Sequence, residues 1–356
     1  MKTRVLAAMS GGVDSSVAAA LLVERGFEVV GVTMKLLPRA ETGFGCCGSA
    51  VDVEDAKRVC DRLAIPHYTA DMSDLFESKV IRPYVEAWLS ARTPNPCVEC
   101  NRVVKFGQLL GLAEAWGCAK TATGHYARVE DGRLLKARDL DKDQTYFLYA
   151  LTERELSRVD FPVGGLTKPE VREKARALGL RVADKAESME TCFVPGRDVR
   201  GFVASRPESA GAAALSVGEI RDTSGRVRGT HTGLASYTVG QRKGLGVSSS
   251  VPLYVVRLEP GNNELVVGGT AEVFSESIVV GALSWARSAP LGPFRAEVRV
   301  RHRHCPAPAE LTPREDGAIQ VRFDAPQRAP APGQAAVFYD GAELLGGGTI
   351  LNGGAS

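Results

Sequence analysis

The chain has 356 residues, which exceeds the usual size of one compact core, so we expect two or three domains. Its apolar fraction of 44% and its charged fraction of 24% are typical of globular proteins and exclude a disordered chain. A formal net charge of +2 leaves nucleic acid open as a partner, whereas a membrane is excluded because no run approaches the roughly 18 apolar residues of a membrane span.

The first residues predict a β-strand, because the apolar stretch before Gly11 is too short for a signal peptide. We therefore expect a cytoplasmic protein. Eight cysteines are too sparse for a disulfide scaffold, and a reducing compartment would keep most of them as thiols. Some of them are then available for chemistry.

The first half of the chain alternates strand-like and helix-like segments, which predicts an α/β domain with a doubly wound parallel sheet. Ligands of such sheets bind at the carboxyl ends of the strands. The predicted strands are residues 5–9, 28–34, 66–70 and 120–129. The predicted helices are residues 15–25, 52–63, 75–91 and 103–116.

The amino-acid pattern changes near Ser205. An alanine-rich segment at 209–215 is interpreted as a linker, and short β-branched runs separated by glycine follow it. Two hairpins are expected, 217–221 with 227–230 and 253–258 with 265–268, so the middle of the chain is a small β-rich module. Strands at 294–303, 319–324 and 335–339 predict a third, antiparallel domain of barrel or sandwich type, for which we expect a β-barrel. The predicted domains are residues 1–205, 206–280 and 281–356.

The sequence SGGVDSS, from Ser10 to Ser16, lies between an apolar strand and an alanine-rich helix. Its two glycines let the backbone turn its N–H groups inward, and the helix that follows adds its positive end, so the loop suits a phosphate. It lacks the lysine of a Walker loop. The alternative is an ordinary glycine turn in which Asp14 or Ser15 caps the helix.

Two further segments contain unusual cysteines. The proline-stiffened TPNPCVECN, from Thr93 to Asn101, runs into a helix predicted to begin near Val103, which puts Cys100 near a helix N-terminus where a thiolate is stabilised. Cys192 stands alone in ESMETCFVP, where a buried structural thiol is the alternative. Both cysteines are candidates for sulfur chemistry.

SGGVDSS resembles the pyrophosphatase loop of the PP-loop ATPases, which cleave ATP between its α- and β-phosphates. Together with TPNPCVECN, TGHYAR (123–128), KDQTYFLY (142–149), SMETCFVP and VGQRKGLG (239–246), it resembles the tRNA-specific 2-thiouridylase (MnmA) family over nearly the whole chain. Six separated motifs in one order make this resemblance far more specific than a glycine loop alone. It implies a PP-loop domain of the adenine nucleotide alpha hydrolase type, followed by two tRNA-binding β-rich domains.

The resemblance also implies a reaction. ATP, with Mg²⁺, would adenylate the C2 oxygen of the wobble uridine, and Cys192 would carry a persulfide received from a cysteine desulfurase or a sulfur-relay protein. Cys100 would attack this persulfide, free the outer sulfur for C2 and leave a Cys100–Cys192 disulfide. Lysine, glutamate and glutamine tRNAs are the expected substrates.

Matching positions assign further residues. The expected ATP-binding residues are Ala8, Met9, Ser10, Gly11, Gly12, Val13, Asp14, Ser15, Met34 and Gly124. The expected tRNA-binding residues are Asn95, Pro96, Cys97, His125, Lys142, Asp143, Gln144, Arg301, His302 and Gln334. Salt-sensitive phosphate contacts are expected at these tRNA-binding residues. The cluster Gln241–Lys243 is also basic.

Two positions depart from the family pattern. Cys97 stands where many relatives have an aspartate that can act as an acid or base. A thiol is a different catalyst from a carboxylate. His302 replaces a more usual tyrosine, which weakens a stacking role although histidine can still stack or donate a hydrogen bond. The remaining cysteines have no expected role in the reaction. Cys60, Cys118 and Cys305 are expected to be core thiols, and Cys46 and Cys47 are not assigned a role.

Three alternatives remain at the level of the sequence. Cys97, Cys100 and Cys192 suit an iron–sulfur cluster with one open iron, or zinc with a fourth ligand, although a single CxxC lacks the second pair of a closed zinc site. A PP-loop ligase or amidotransferase acting on a small molecule would need neither Cys100 nor Cys192. An RNA-binding protein with a degenerate nucleotide domain would not need an intact SGGVDSS loop.

Overall fold

The computed structural model describes residues 2–37, 48–185 and 191–353 of the chain. The N-terminal domain is built on a five-stranded parallel sheet with helices around it, which confirms the predicted doubly wound domain. Strands buried on both faces are apolar along their length, as in the sequence VLAA. In spatial order the strands are β3 (His67–Asp71), β2 (Glu28–Lys35), β1 (Arg4–Ala8), β4 (Lys120–Ala122) and β7 (Val159–Asp160).

The helices of this domain lie between the strands along the chain. The first helix, Val13–Glu24, is buried along most of its length, including its serines. It packs in one core with the sheet and with other helices of the domain. The helices are α1 (Val13–Glu24), α2 (Ala50–Leu63), α3 (Ser73–Phe76), α4 (Arg82–Leu89), α5 (Pro96–Glu99), α6 (Gly107–Ala115), α7 (Glu153–Leu156), α8 (Lys168–Ala177) and α9 (Val199–Ala204).

Two π-helical segments extend these helices. Glu77–Ile81 joins α3 to α4, and Cys100–Phe106 joins α5 to α6. The helix that contains Cys100 therefore begins at Pro96 and not near Val103. The prediction that Cys100 lies near a helix N-terminus is wrong. Proline fits the first helical position because its missing N–H would have no partner there, and this moves Cys97 into the first turn.

The predicted strand 120–129 is divided between two sheets. β4 ends at Ala122, and the chain resumes as β5 (Ala127–Glu130), which forms an antiparallel hairpin with β6 (Arg133–Lys136). The segment between them turns beneath the phosphate loop. The hairpin belongs to the C-terminal sheet, so the first domain contributes two strands to the last one.

The central module is a four-stranded sheet that contains both predicted hairpins. β8 (Gly218–Asp222) pairs with β9 (Val227–His231), and β10 (Tyr254–Glu259) pairs with β11 (Glu264–Gly268). The two hairpins join through the parallel pair β11–β8. The predicted linker before this module is packed: it forms short 3₁₀ turns, and Ala214 within it lies in the core of the first domain.

The C-terminal domain is a closed antiparallel barrel of six strands, which confirms the predicted barrel. It closes where its first strand pairs with its last, which removes the open sheet edges. The first strand runs across the expected boundary at 280/281. The strands are β12 (Phe274–Trp285), β13 (Phe294–Arg299), β14 (Ala307–Pro313), β15 (Ile319–Arg328), β16 (Ala335–Asp340) and β17 (Glu343–Gly353).

One hydrophobic core is shared by the first domain and the barrel. Tyr146 and Tyr149 of the first domain pack with Val337 and Tyr339 of β16, and all four are buried. This core joins the barrel to the first domain. None of the helices in the described part of the chain has the length and apolar character required to cross a membrane.

Candidate functional site

The phosphate loop follows β1, and its shape depends on glycine. Gly11 has a φ of +71°, and a Cβ atom there would lie 2.4 Å from the carbonyl oxygen of Asp52, so only glycine fits. The hydroxyl of Ser15 accepts a hydrogen bond from the N–H of Ser10 at 3.2 Å and donates one to the carbonyl of Gly12 at 3.1 Å. The turn is thus formed by its own side chains, at the N-terminus of a 12-residue helix, which is a geometry that suits an anion.

The other expected ATP-binding positions lie on the neighbouring strands. Gly124 follows β4, and a Cβ atom on it would lie 2.5 Å from the backbone nitrogen of Ser15. Met34 lies near the end of β2, where Gly48 packs so closely that a Cβ atom on it would be 2.3 Å from the Met34 carbonyl. Residues 8–15, Met34 and Gly124 therefore meet at the carboxyl ends of three adjacent strands, the usual ligand site of such sheets.

Asp14 is held by two side chains that the sequence did not single out. The ammonium of Lys168 donates to both carboxylate oxygens, at 2.7 and 2.8 Å, and the hydroxyl of Tyr126 donates to one of them at 2.9 Å. The side chain of Lys168 is 8% exposed and that of Asp14 is 30% exposed, so the ion pair is partly buried. Asp14 thereby connects the phosphate loop to the first residue of α8 and to the TGHYAR motif.

Lys185 approaches the phosphate loop from the other side. Its ammonium donates to the carbonyl of Gly11 at 3.0 Å, to Asp52 at 2.8 Å and to Asp55 at 2.7 Å. Burial lowers the pKa of Lys185, but its hydrogen bonds and charge attraction to the two carboxylates outweigh burial, and the net shift is upward. Asp52 also accepts from the hydroxyl of Ser49, the N-cap of α2.

These contacts left little trace in the sequence. Tyr126 lies within TGHYAR, and Lys168 opens a helix whose capping box, Thr167 with Glu170, is visible in the sequence. Lys185 and Asp52 are separated by more than a hundred residues, and no spacing rule connects them.

The three candidate cysteines surround one aromatic cluster. Cys100 is buried in the core of the first domain, and the half-buried Cys192 packs against that same core. Phe193 meets Tyr84 edge-on, with ring centroids 5.1 Å apart. Burial raises the pKa of Tyr84 to about 12, and the exposed Cys97 adds to this shift, which places Cys97 near the same ring.

The three thiols of the metal alternative do not form a ligand set in the described part of the chain. Within the three described ranges, no group of three or more His, Cys, Asp or Glu side chains is arranged to hold a metal ion. Cys100 is 8% exposed and lies among apolar side chains, whereas Cys97 is exposed. The described residues therefore show no ligand set shared by the three thiols. Cys60 and Cys118 are buried, as predicted, whereas Cys305 is exposed, so the prediction that it is a core thiol is wrong. Cys46 and Cys47 lie outside the described residues.

The TPNP loop is fastened to the barrel. The side-chain amide of Gln334 donates to the carbonyls of Thr93 at 3.0 Å and Pro94 at 3.2 Å. The side chain of Asn95 lies within hydrogen-bond reach of the Tyr146 hydroxyl, which itself donates to the barrel backbone at Ala335. Gln334 is therefore a support for the loop, which borders a cleft of about 130 Å³ together with β16 and β17.

His125 follows Gly124 and lies between two phenylalanines. Its ring is 5.8 Å from that of Phe106 and 6.1 Å from that of Phe161, and its Nδ1 is 2.6 Å from the hydroxyl of Thr123. Burial, and to a smaller extent the charge of Lys105, hold the pKa of His125 well below its ordinary value. At neutral pH the ring is uncharged, so it suits stacking or a neutral hydrogen bond rather than a phosphate contact.

The segment Lys142–Gln144 is tied to the barrel through its central residue. The carboxylate of Asp143 is 3% exposed; it accepts from the backbone of Ala137 at 3.1 Å and is paired with Arg299 of β13 at 3.3 Å. The amide oxygen of Gln144 accepts from the backbone of Tyr126 at 2.9 Å. Both Lys142 and Gln144 are half-buried, which leaves them the more accessible members of the segment.

Arg301 and His302 lie after β13, where the barrel meets the other domains. A single nitrogen of the Arg301 guanidinium donates to the carbonyl of Val239 at 2.7 Å and to that of Ala329 at 2.8 Å, which joins the VGQRKGLG loop to the barrel. The ring of His302 packs on Phe147 with centroids 4.5 Å apart, and burial lowers its pKa. Arg301 is thus an interdomain clamp as well as a candidate tRNA contact.

Three family models match successive parts of the chain. The tRNA methyl transferase HUP domain matches residues 3–196, the tRNA methyl transferase PRC-barrel domain matches residues 212–269, and the aminomethyltransferase beta-barrel domain matches residues 275–350.

Known proteins match the chain over nearly its whole length. The tRNA-specific 2-thiouridylase MnmA of Heliobacterium modesticaldum is 48% identical over 99% of this chain and 93% of its own length. The enzyme of the same name from Geotalea uraniireducens is 46% identical over 98% of this chain and 95% of its own. Among solved structures, a 4-thiouridine synthetase–RNA complex with bound ATP is 19% identical over 52% of this chain and 43% of that one, with a TM-score of 0.37, which is too low to support an argument.

Proposed function

The chain belongs to the tRNA-specific 2-thiouridylase (MnmA) family and is an enzyme of tRNA modification, and from this premise we propose that it is a tRNA-uridine 2-sulfurtransferase driven by ATP. The observation that carries the proposal is the joint presence of an intact phosphate loop and two cysteines packed on one core of the same domain. A small-molecule ligase would require the loop but not the cysteines.

In the first half of the reaction, the C2 oxygen of the wobble uridine attacks the α-phosphorus of ATP, and pyrophosphate leaves. Residues 8–15, Met34 and Gly124 would hold the nucleotide, and Mg²⁺ would accompany its phosphates. Preformed N–H groups at the helix N-terminus suit this step, because they stabilise phosphate charge without reorganisation. The product carries AMP on the C2 oxygen, which makes that oxygen a leaving group.

In the second half, sulfur replaces the activated oxygen. The Cys100 thiolate attacks the Sγ atom of a Cys192 persulfide, the S–S bond to the outer sulfur breaks, and hydrosulfide is released. Hydrosulfide adds to C2, and AMP leaves to give 2-thiouridine. A Cys100–Cys192 disulfide remains, which a two-electron dithiol reductant must open before the next turnover.

Three supports for the tRNA are proposed around this site. Asn95, Pro96, Cys97 and His125 would face the target base; the uncharged ring of His125 suits that contact, and Cys97 would assist proton transfer. Lys142 and Gln144 would contact the tRNA beside the buried Asp143. The third support consists of Arg301, His302 and Gln334 in the barrel.

We propose lysine, glutamate and glutamine tRNAs as substrates, a cysteine desulfurase or sulfur-relay protein as donor, and the cytoplasm as location, because the reaction consumes ATP and tRNA. The decisive measurement is mass spectrometry of nucleosides after incubation of the enzyme with tRNA, ATP, magnesium and a sulfur donor. A mass gain of sulfur for oxygen in uridine is expected. Pyrophosphate exchange that proceeds without tRNA, with no change in uridine, would favour a small-molecule ligase.

The two cysteines are separated by role, which single substitutions test. Cys192→Ser should abolish persulfide loading, and Cys100→Ser should load Cys192 but fail to transfer sulfur, because no thiolate remains to release it. Cys97→Ser should be milder, with a loss of roughly 10²- to 10⁴-fold in rate at most if Cys97 only assists proton transfer. Anaerobic purification, iron analysis and mass spectrometry of each cysteine measure this. Stoichiometric iron that all three variants lose would contradict the persulfide mechanism.

A further inference from the structure

The Cys192 segment begins at a lysine that is bound to the phosphate loop. Lys185 lies seven residues before Cys192, and its ammonium donates to the carbonyl of Gly11 within the loop. Its other two acceptors, Asp52 and Asp55, lie on α2, whose first turn packs against Gly11. One side chain therefore contacts the loop and the helix that supports it.

The backbone of the same segment is held from a third direction. Arg172 of α8 donates to the carbonyl of Ala183 at 2.5 Å and to that of Lys185 at 3.3 Å. The first residue of α8, Lys168, is paired with Asp14 of the phosphate loop. Residues 183–185, which precede Cys192 in the chain, are thus held by α8, by α2 and by the phosphate loop. All three meet around the expected position of the ATP phosphates.

The other side of Cys192 is fixed separately. Phe193 is 6% exposed and packs edge-on against Phe76, with ring centroids 5.6 Å apart, and against Tyr84. Seven residues of extended chain span at most about 25 Å, so the anchor at Lys185 limits how far Cys192 can move from the phosphate loop. The adenylated uridine must be near that loop when the sulfur arrives.

We propose that Lys185 is a positioning residue, which couples the nucleotide-filled phosphate loop to the placement of the sulfur-bearing Cys192. This inference rests on the proposed function, because it needs both an adenylated intermediate and a persulfide. Lys185 touches neither sulfur nor base. Its effect is to keep the two halves of the reaction in one geometry, so that released sulfur reaches C2 before water does.

Loss of this anchor should uncouple the two halves. Water that attacks the adenylated intermediate returns uridine and AMP, so ATP is consumed without thiolation. In Lys185→Met, at saturating ATP, the ratio of 2-thiouridine to AMP should fall at least about tenfold, because small misplacements of reacting groups cost factors of this size. Saturating ATP removes any loss of nucleotide affinity caused by leaving Asp52 and Asp55 unpaired.

The experiment uses the full chain with tRNA, ATP, magnesium and a persulfide donor, and quantifies 2-thiouridine and AMP together. Lys185→Arg should restore the ratio to within about threefold, since it keeps the charge on both carboxylates. Lys174→Met is the matched control, because Lys174 pairs at 2.9 Å with Glu24, the last residue of α1, at the end of that helix away from the loop. Its ratio should equal that of the wild type.

A wild-type ratio in Lys185→Met would overturn the proposal. If that variant does not fold, Lys185→Gln replaces it, since the shorter neutral amide removes both ion pairs with α2; an unchanged ratio there overturns the proposal equally. Absence of 2-thiouridine from the wild type would instead contradict the proposed function. The two failures are therefore distinguishable in one assay.

Discussion

Asp14 serves the fold as well as the phosphate loop. From the sequence, Asp14→Ala would be expected to leave the fold intact, but the structure pairs its carboxylate with the nearly buried ammonium of Lys168. Removing the carboxylate takes an ion pair away from an ammonium that is poorly solvated. An alanine here therefore changes stability and phosphate chemistry together.

We predict that Asp14→Asn and Ser15→Ala lose ATP-dependent pyrophosphate release while keeping most of their stability. Asp14→Ala should lose the same activity and, in addition, about 2 kcal/mol of unfolding free energy, because the amide can still accept from Lys168 and the methyl group cannot. Pyrophosphate release and urea unfolding measure the two effects. Normal pyrophosphate release in Asp14→Asn and Ser15→Ala would contradict the assignment of the loop.

His125 makes the stability of the folded protein depend on pH. Its pKa is lowered by burial and by Lys105, so between that lowered value and 6.5 the unfolded chain binds a proton that the folded chain does not. Stability is then complete above pH 6.5 and falls as the pH drops below it. The pKa values of His67, His302 and His304 are also lowered by burial, and their effects have the same sign.

We predict that His125→Phe reduces the loss of unfolding free energy between pH 7.5 and 5.5 by about 1 kcal/mol. Phenylalanine can pack between Phe106 and Phe161 and cannot titrate. Urea unfolding at both pH values provides the measurement, and the difference at pH 7.5 corrects for lost packing. An identical pH dependence in both proteins would show that His125 does not contribute to it.

The π-helical segment Cys100–Phe106 is the element that the sequence could not reveal. The periodicity of 103–116 predicts the helix, and Pro94 and Pro96 suggest a loop, yet Pro96 is the first residue of the helix. A π turn adds a residue without changing the apolar pattern enough to be recognised. Cys100 is the first residue of this segment and lies in the core, while Cys97 occupies the first turn of the helix that begins at Pro96.

The contact of Gln334 with the TPNP loop leads to a prediction at the level of one loop. Gln334→Ala removes two hydrogen bonds, at 3.0 and 3.2 Å, that hold Thr93 and Pro94 in place. We expect thiolation at saturating tRNA to fall about tenfold, because the loop that carries Asn95 and Cys97 is no longer fixed. Nucleoside analysis of the reacted tRNA measures this.

Gln327→Ala is the control for that experiment. Its amide donates within its own strand, to Ala325 at 2.8 Å, and so leaves the loop untouched. Both variants should lose a similar stability of about 1 kcal/mol or less. Equal thiolation rates in the two would mean that Gln334 does not position the loop.

At the scale of the whole molecule, Arg301 joins the central module to the barrel. We predict that Arg301→Ala weakens tRNA binding and lowers the slope of log affinity against log salt by about one unit, because a phosphate contact is lost from its remaining N–H groups. Its melting temperature should also fall, since Val239 and Ala329 lose their shared donor. Binding titrations at several salt concentrations and thermal unfolding test both.

Arg257→Ala is the comparison, because Arg257 lies exposed on β10 and pairs locally with Glu259. Its slope should equal that of the wild type. If Arg301→Ala melts at lower temperature with an unchanged slope, the residue is a clamp and not a contact of tRNA.

The sequence predicted the parallel sheet, both hairpins of the central module and the barrel, since each has a local pattern of strands and turns. It did not predict that β5 and β6 belong to the barrel, because TGHYAR reads as one continuous strand and sheet membership depends on distant partners. The phosphate loop was recognisable from residues 10–16 alone. Lys168 and Lys185 were not, because only the tertiary fold brings them to it.

The pairing of β6 with β17 has a consequence for how the protein is made on the ribosome. The N–H of Lys136 donates to the carbonyl of Ala342 at 2.8 Å, a residue that is translated about two hundred codons later. At roughly 5–20 residues per second, the hairpin waits about 10 to 40 seconds for its partner strand. Tyr146 and Tyr149, whose core the barrel completes, remain incompletely covered for the same time. Nascent chains that contain Lys136 but not yet Ala342 are therefore the stage at which chaperone binding should matter most.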